Sequence, residues 1–396
     1  MSIFDTSLLA LPLFEDRHRR LAAQLTEWVE AHRDLPASLA DQSAPERSRR
    51  YTQVLGRDGW LAHAVDPEPG RDRPDMRAIC LIREAMAQVD DLLDFAFSIQ
   101  GLAAAPIAWF GSDEQRARYL PPMRSGELIG SLALSEPAAG SNLAAAALRV
   151  DKLAAGYALT GDKTWVSNGD IADCHMVLGR TGEGPGGLGL SFLITPARAP
   201  GLAAAQHIEL LAPRAFASLR FDECRLEGDA LIGQGGMGFK YAMEILNFYR
   251  VTVGSASVGF CRRALDASVA WARGRDIAGA KLIQSQMAMD KLANMAMYLD
   301  AASLLVARSA WEFDTGVKDV AAHASMAKLY ATEGAGKVAD DTVQLFGAAG
   351  LVAGSVPEQL YRQVRALRIY EGTSEIQKII IAGSVSRPRR PPVAPA

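Results

Sequence analysis

Helical periodicity lapses between Leu128 and about Ile232 and holds on both sides, and this switch constrains the fold of the 396-residue chain most. Inside that stretch, short apolar runs alternate with turn residues: LIGSLALSE, GYALTGDKTWVSNG, CHMVLGR, LGLSFLIT and SLRFDECRL. Alternation in YALT and the turns TGD and SNG predict strands and hairpins. Before it, Leu21, Leu25, Trp28 and His32 recur at helical spacing, as do Ile79, Ile82, Met86 and Val89. Phe95 to Phe110 is apolar enough for a buried helix. After it, one apolar stripe runs through Val258, Cys261, Leu265, Val269 and Ala272. A second takes Leu292, Met295, Leu299, Ala302 and Val306, and a third Met326, Leu329, Val338, Thr342 and Leu345. A last helix over 374–382 closes a bundle of four or more. The pattern predicts an α+β protein with a helical domain over 1–127 and an antiparallel β domain over 128–236. A four-helix bundle over 237–385 and a disordered, proline-rich tail over 386–396 follow.

Composition narrows the function classes. A net charge of -3 argues against nucleic acid as a partner. Cys80, Cys174, Cys224 and Cys261 form no CxxC pair and the histidines no HxxxH spacing, so neither a disulfide framework nor a metal site is predicted. The N-terminal MSIFDTSLLA lacks the basic region of a secretory signal, and no apolar run of membrane-spanning length is expected, which points to a cytoplasmic protein. Met287, Met289, Met295 and Met297 read as core filler. GEGPGG and GQGGMG fit G-x-G-x-x-G, but neither lies in a strand–turn–helix context followed by the required acid, so both read as loops.

The chemistry concentrates in RIYEGTSEIQKIII. Glu371 stands next to Ile369 and Tyr370, and a carboxylate among apolar groups resists ionisation, drifting toward the range of a general base. Gly372 permits a sharp turn. Thr373 and Ser374 read as a helix start, with Ser374 to Gln377 spaced as a capping box, and free N–H groups there suit a phosphate. The alternative is a capped surface helix with a solvated Glu371. Further on the same theme, Ser135 to Asn142 (SEPAAGSN) is a turn of small and hydroxyl residues, and Trp165-Val166-Ser167 ends a strand with an aromatic wall beside a hydroxyl. Gln344 to Gly350 (QLFGAAG) is a helix end where backbone approaches closely.

Taken together, SEPAAGSN, KTWVSNG, RRALDASVAWARGRDIAGAKLIQSQ, QLFGAAG and YEGTSEIQ resemble, in order and spacing, the motifs of the acyl-CoA dehydrogenase family. The resemblance runs from about Leu21 to Gly383. It implies FAD held between the β domain and the C-terminal bundle. On that basis Ser135 and Ser141 bond the flavin ring, Trp165 and Val166 flank it, and Ser167 lies near its reactive nitrogen. Arg275, Gln286, Gln344 and Gly347 match positions that touch FAD from a neighbouring subunit, implying a homo-oligomer, dimer or tetramer. Thr373, Ser374 and Glu375 match residues near the pyrophosphate and ribose. Glu371 matches the base that takes the α-proton of an acyl thioester, leaving a trans-2-enoyl thioester. Ser141, Asn247, Arg250 and Gly372 fall on the substrate side. Tyr249 stands where some relatives carry an alternative base, and Ala278 where the family has phenylalanine. The implied partners are acyl-CoA, or a carrier-protein thioester, and an external electron acceptor such as electron-transfer flavoprotein. An oxidase or monooxygenase on the same fold and a flavin-free scaffold are the alternatives.

Overall fold

The computed structural model describes residues 3–67 and 70–386. The proposed disordered tail therefore lies, beyond Ser386, outside the described residues.

The N-terminal helices are α1 (Thr6–Leu9), α2 (Asp16–Ala31), α3 (Leu35–Ser38), α4 (Ala44–Arg57) and α5 (Ala62–Val65). They continue with α6 (Met76–Val89), α7 (Asp91–Phe110) and α8 (Asp113–Ser125). Side-chain caps set several starts: Ser43 with Glu46 for α4, Ser112 with Gln115 for α8, and Asp90 for α7. Helix α7 is buried along almost its whole length and opens on two carboxylates, Asp91 and Asp94. By length and composition it is apolar enough to cross a membrane, contrary to the expectation of no such run, yet its apolar window is wholly covered by this protein. It is the core helix under the site.

The middle region holds β1 (Gly130–Ala133), β2 (Arg149–Leu153), β3 (Gly156–Ser167) and β4 (Cys174–Arg180). It ends with β5 (Leu190–Pro196), β6 (Gln206–His207), β7 (Phe216–Leu226) and β8 (Leu231–Ile232). They form one sheet in the order β6-β7-β3-β2-β4-β5-β8, with β1 on β4. Most pairs are antiparallel, but β1 runs parallel to β4, with Gly130 opposite Cys174. The sheet is therefore mixed: a turn and the β2–β3 hairpin intervene before the chain returns beside β1, a long-range pairing whose direction alternation does not encode. The loop after β1 is stapled to β3 by a buried ion pair. Lys163 Nζ donates to Glu136 Oε1 and to Leu134 O, each at 2.8 Å. Glu136 also accepts the backbone N–H groups of Ala147 (2.7 Å) and Leu148 (2.9 Å). Near the end of β3 the register with β7 shifts between Lys163 and Val166, and Trp165 takes a φ of 57°. This bulge turns the indole out of the sheet.

The C-terminal helices are α9 (Gly238–Gly274), α10 (Gln286–Asp314), α11 (Ala321–Phe346), α12 (Val356–Gln363) and α13 (Ser374–Val385). Helix α9, 37 residues long, packs against both α11 and α6. It approaches α6 closely through Gly259, where a Cβ would fall 2.4 Å from Glu84 O. Between α9 and α10, β9 (Asp276–Ile277) and β10 (Ala280–Lys281) form a hairpin turned by Ala278 and Gly279, both at positive φ. Met295 is buried, but Met287, Met289 and Met297 are exposed on α10, so three of the four methionines are not core filler of this chain. They point away from the bundle because the helical period places only Met295 on the buried stripe.

Candidate active site

Glu371 occupies the short link between a 3-10 turn (Val364–Arg368) and α13, at a φ of 53°. The residue keeps partial exposure, but its carboxylate oxygen Oε2 is buried with no hydrogen-bond partner. Burial raises its pKa; Arg83, Lys328 and Arg250 oppose the rise and Asp94 adds to it. The link is pinned on its C-terminal side. Lys328, itself fully buried and pushed down to about 8 by that burial, donates from Nζ to Gly372 O at 2.8 Å. Gln377 Nε2 donates to Gly372 O (2.8 Å) and Glu371 O (3.3 Å). The helix cap is Thr373, whose Oγ1 accepts from Ile376 N at 3.4 Å, rather than Ser374. The capping box over Ser374–Gln377 is thus replaced. Ser374 Oγ donates to Glu333, and Gln377 turns its amide back on the two carbonyls that the positive-φ residues leave facing inward.

Beneath this link lie two buried arginine–aspartate pairs. Arg83 on α6 grips Asp94 with Nε (2.8 Å) and Nη2 (2.7 Å) and donates Nη1 to Thr252 Oγ1 on α9. Arg214, from the segment before β7, grips Asp91 with Nε (3.0 Å) and Nη2 (2.5 Å). Its guanidinium faces the Phe95 ring at 5.0 Å and the Tyr370 ring at 5.8 Å. Burial pushes the Tyr370 hydroxyl up to about 12. Neither arginine–aspartate pair was singled out from sequence. The available signal was Asp91 and Asp94 opening an apolar helix, since charges that enter a core require buried partners of opposite sign.

Arg250 is buried, donates Nη1 to Asn247 Oδ1 at 2.8 Å, and leaves Nε without a partner. A Cβ on Gly372 would come 3.7 Å from its Nη2, so Arg250, Asn247 and the Glu371–Gly372 link share one corner. Tyr249 is fully buried; its hydroxyl would lie 2.8 Å from a Cβ on Gly101 of α7, and its ring stacks on Trp109. No carboxylate is offered at that position.

The other predicted residues gather in two further places. In the first, the SEPAAGSN turn meets the end of β3: Thr164 N donates to Ser135 O at 3.0 Å. Here Trp165 is 57% exposed, Ser141 exposed, Ser135 and Ser167 partly exposed, and Val166 buried. Asn168, one residue past Ser167, was missed from sequence; it is fully buried with neither amide atom hydrogen-bonded. In the second place, Trp271 stacks on Phe346 (4.5 Å) and donates Nε1 to Leu345 O, tying the ends of α9 and α11 together. Arg275, Gln286, Gln344 and Gly347 are all exposed around that end of the bundle. Glu375 is exposed and folds back on its own N–H and on Thr373, which holds its carboxyl below the usual range.

Three family profiles cover most of the chain: acyl-CoA dehydrogenase N-terminal domain over 15–127, middle domain over 131–224 and C-terminal domain over 236–386. The human mitochondrial short-chain specific acyl-CoA dehydrogenase is 35% identical over 339 residues, covering 85% of this chain and 82% of that protein. A probable acyl-CoA dehydrogenase of Mycobacterium abscessus superposes with a TM-score of 0.87 at 30% identity, over 94% of this chain and all of the other. Butyryl-CoA dehydrogenase of Megasphaera elsdenii gives 0.85 at 25% identity, over 94% and 99%. With the helix–sheet–helix build and these matches in agreement, the chain belongs to the acyl-CoA dehydrogenase family of oxidoreductases.

Proposed function

We propose that this chain is an FAD-dependent dehydrogenase of short acyl-CoA thioesters in which Glu371 removes the α-proton. The observation that carries the reading is the unpartnered, buried Oε2 of Glu371 on a link held in a left-handed conformation. Burial of an oxygen with no hydrogen-bond partner raises the pKa of such a base, which strengthens it as a proton acceptor. Arg83, Lys328 and Arg250 oppose that rise. Lys328 also fixes the link through Gly372 O, and Arg250, held by Asn247 on its own helix, lies beside it. Tyr249 walls the space between α9 and α7, which supports short chains, as do the names of the human and Megasphaera relatives.

The residues present fit FAD. An outward-facing Trp165, the hydroxyls of Ser135, Ser141 and Ser167, and the unsatisfied amide of Asn168 suit a flat polar ring. Thr373 and Ser374 open the helix start at which a pyrophosphate is held. Bound FAD supplies the acceptor for the β-hydride. Arg275, Gln286, Gln344 and Gly347 are assigned to the cofactor of a neighbouring copy, which makes the enzyme a homo-oligomer. The three units 1–127, 128–236 and 237–385 follow this division of labour. An external acceptor such as electron-transfer flavoprotein completes the cycle.

The test is Glu371→Gln mixed with butyryl-CoA without oxygen. The variant is expected to bind flavin normally and to lose at least about 1,000-fold in the rate of flavin bleaching, within the range for a positioned base and its charge. Undiminished bleaching overturns the assignment. Hydrogen peroxide formed in place of reduced external acceptor would instead favour an oxidase.

A further inference from the structure

We propose that Arg214 is the positioning residue that keeps Glu371 in its left-handed conformation, acting through the ring of Tyr370. This rests on Glu371 being the base. On the C-terminal side, Lys328 and Gln377 hold the carbonyls of Glu371 and Gly372. On the N-terminal side the Ile369 side chain is 55% exposed, so Tyr370 is the side chain of the link that can anchor it there. The Arg214 guanidinium carbon lies 5.8 Å from the centre of the Tyr370 ring. Arg214 is itself immobilised, bidentate on Asp91 and stacked over Phe95, with Phe216 stacked on Phe95 in turn at 5.6 Å. Three separate parts of the fold therefore meet at one planar group: the segment before β7, the first turn of α7, and the link carrying Glu371. A buried ion pair serving packing alone is replaceable by apolar residues without loss. One that presents a fixed planar edge to Tyr370 is not, because a lysine cannot reproduce the fork and the stack together.

Removing Arg214 alone would strand the Asp91 charge in the core, so the decisive variant is the pair Arg214→Met with Asp91→Asn. Flavin content and KM for butyryl-CoA are expected to stay within threefold of the parent. Anaerobic flavin reduction is expected to slow by about 30- to 100-fold, the scale of an ångström-sized misplacement. The acid limb of the rate profile should move to lower pH, because a loosened link admits water to Glu371 and relieves its desolvation. Arg214→Lys should recover part of the rate. Tyr370→Ala should reproduce the loss, and adding the Arg214 and Asp91 changes to it should cost nothing more. A folded double variant with parental rate and unshifted acid limb overturns the inference, as does a rate loss that merely tracks lost flavin. If the double variant fails to fold, Arg214→Lys and Tyr370→Ala decide by the same rate and acid limb. Glu371→Gln, run alongside, separates the two ideas. If it still bleaches flavin, the base assignment has failed; if it is silent while the double variant behaves as the parent, only the role of Arg214 has.

Discussion

A glutamate at a φ of 53° is strained by about 1–3 kcal/mol, and a carboxylate out of water adds to that cost. Both costs are ones that the proposed role of Glu371 as base would explain. Because folding raises the pKa of Glu371 above its ordinary value of 4.5, the native state binds the proton more tightly than the unfolded chain. Its contribution to stability is therefore intact below pH 4.5 and declines as pH climbs through the raised value. Glu371→Gln should accordingly raise the thermal midpoint at pH 8 and leave it nearly unchanged at pH 4, as followed by circular dichroism. Gly372 has the opposite sensitivity: a Cβ there would lie 2.6 Å from Gln377 Nε2 at a φ of 94°. Gly372→Ala should destabilise by about 1–3 kcal/mol in denaturant titrations and slow flavin reduction. The acid, the glycine and the helix start were legible because they are neighbours in sequence. Gln377 was read with the wrong partner, since only the folded link shows that two carbonyls, not an N–H, face its amide.

Among elements, the periods of 2 and 3.6 located β1, β3, β4, β5, β7 and the long helices, since burial on one face imposes them residue by residue, but not the short β2, β6 and β8. They are silent on what joins distant elements. Glu136 and Lys163, Asp91 and Arg214, and Arg83 and Asp94 are such joints, and β1 beside β4 is another. The Glu136–Lys163 pair offers the plainest test. Glu136→Ala leaves a buried ammonium alone and is expected to cost about 3–5 kcal/mol in urea unfolding. Glu136→Leu combined with Lys163→Met should recover part of that, because no unpaired charge remains. The double variant should still bind less flavin, as the SEPAAGSN turn loses the carboxylate that gathers Ala147 and Leu148 N–H.

For the whole molecule, Met287, Met289, Met297, Leu351 and Val352 are large apolar side chains left exposed. If Arg275 serves a neighbour's cofactor, two crippled chains can rescue each other. Mixing Glu371→Gln with Arg275→Ala subunits, refolded or co-expressed, should concentrate both defects in one centre and leave the other whole. Activity well above either parent, rising with the fraction of mixed dimers in native mass spectra, is the expected result. Neither change alone, nor a simple blend without subunit exchange, should give it.

Helix α9 gives this arrangement a mechanical side. Arg250, about a third of the way along it, lies beside the Glu371–Gly372 link, and Arg275 follows its far end, roughly 38 Å away at 1.5 Å per residue. If Arg275 serves a neighbour's cofactor as proposed, one helix spans two centres, and a tilt that improves the fit of a thioester in the first would strain the cradle in the second. Ligand arriving at one centre should therefore be felt next door, so that the second molecule of substrate meets a different affinity from the first.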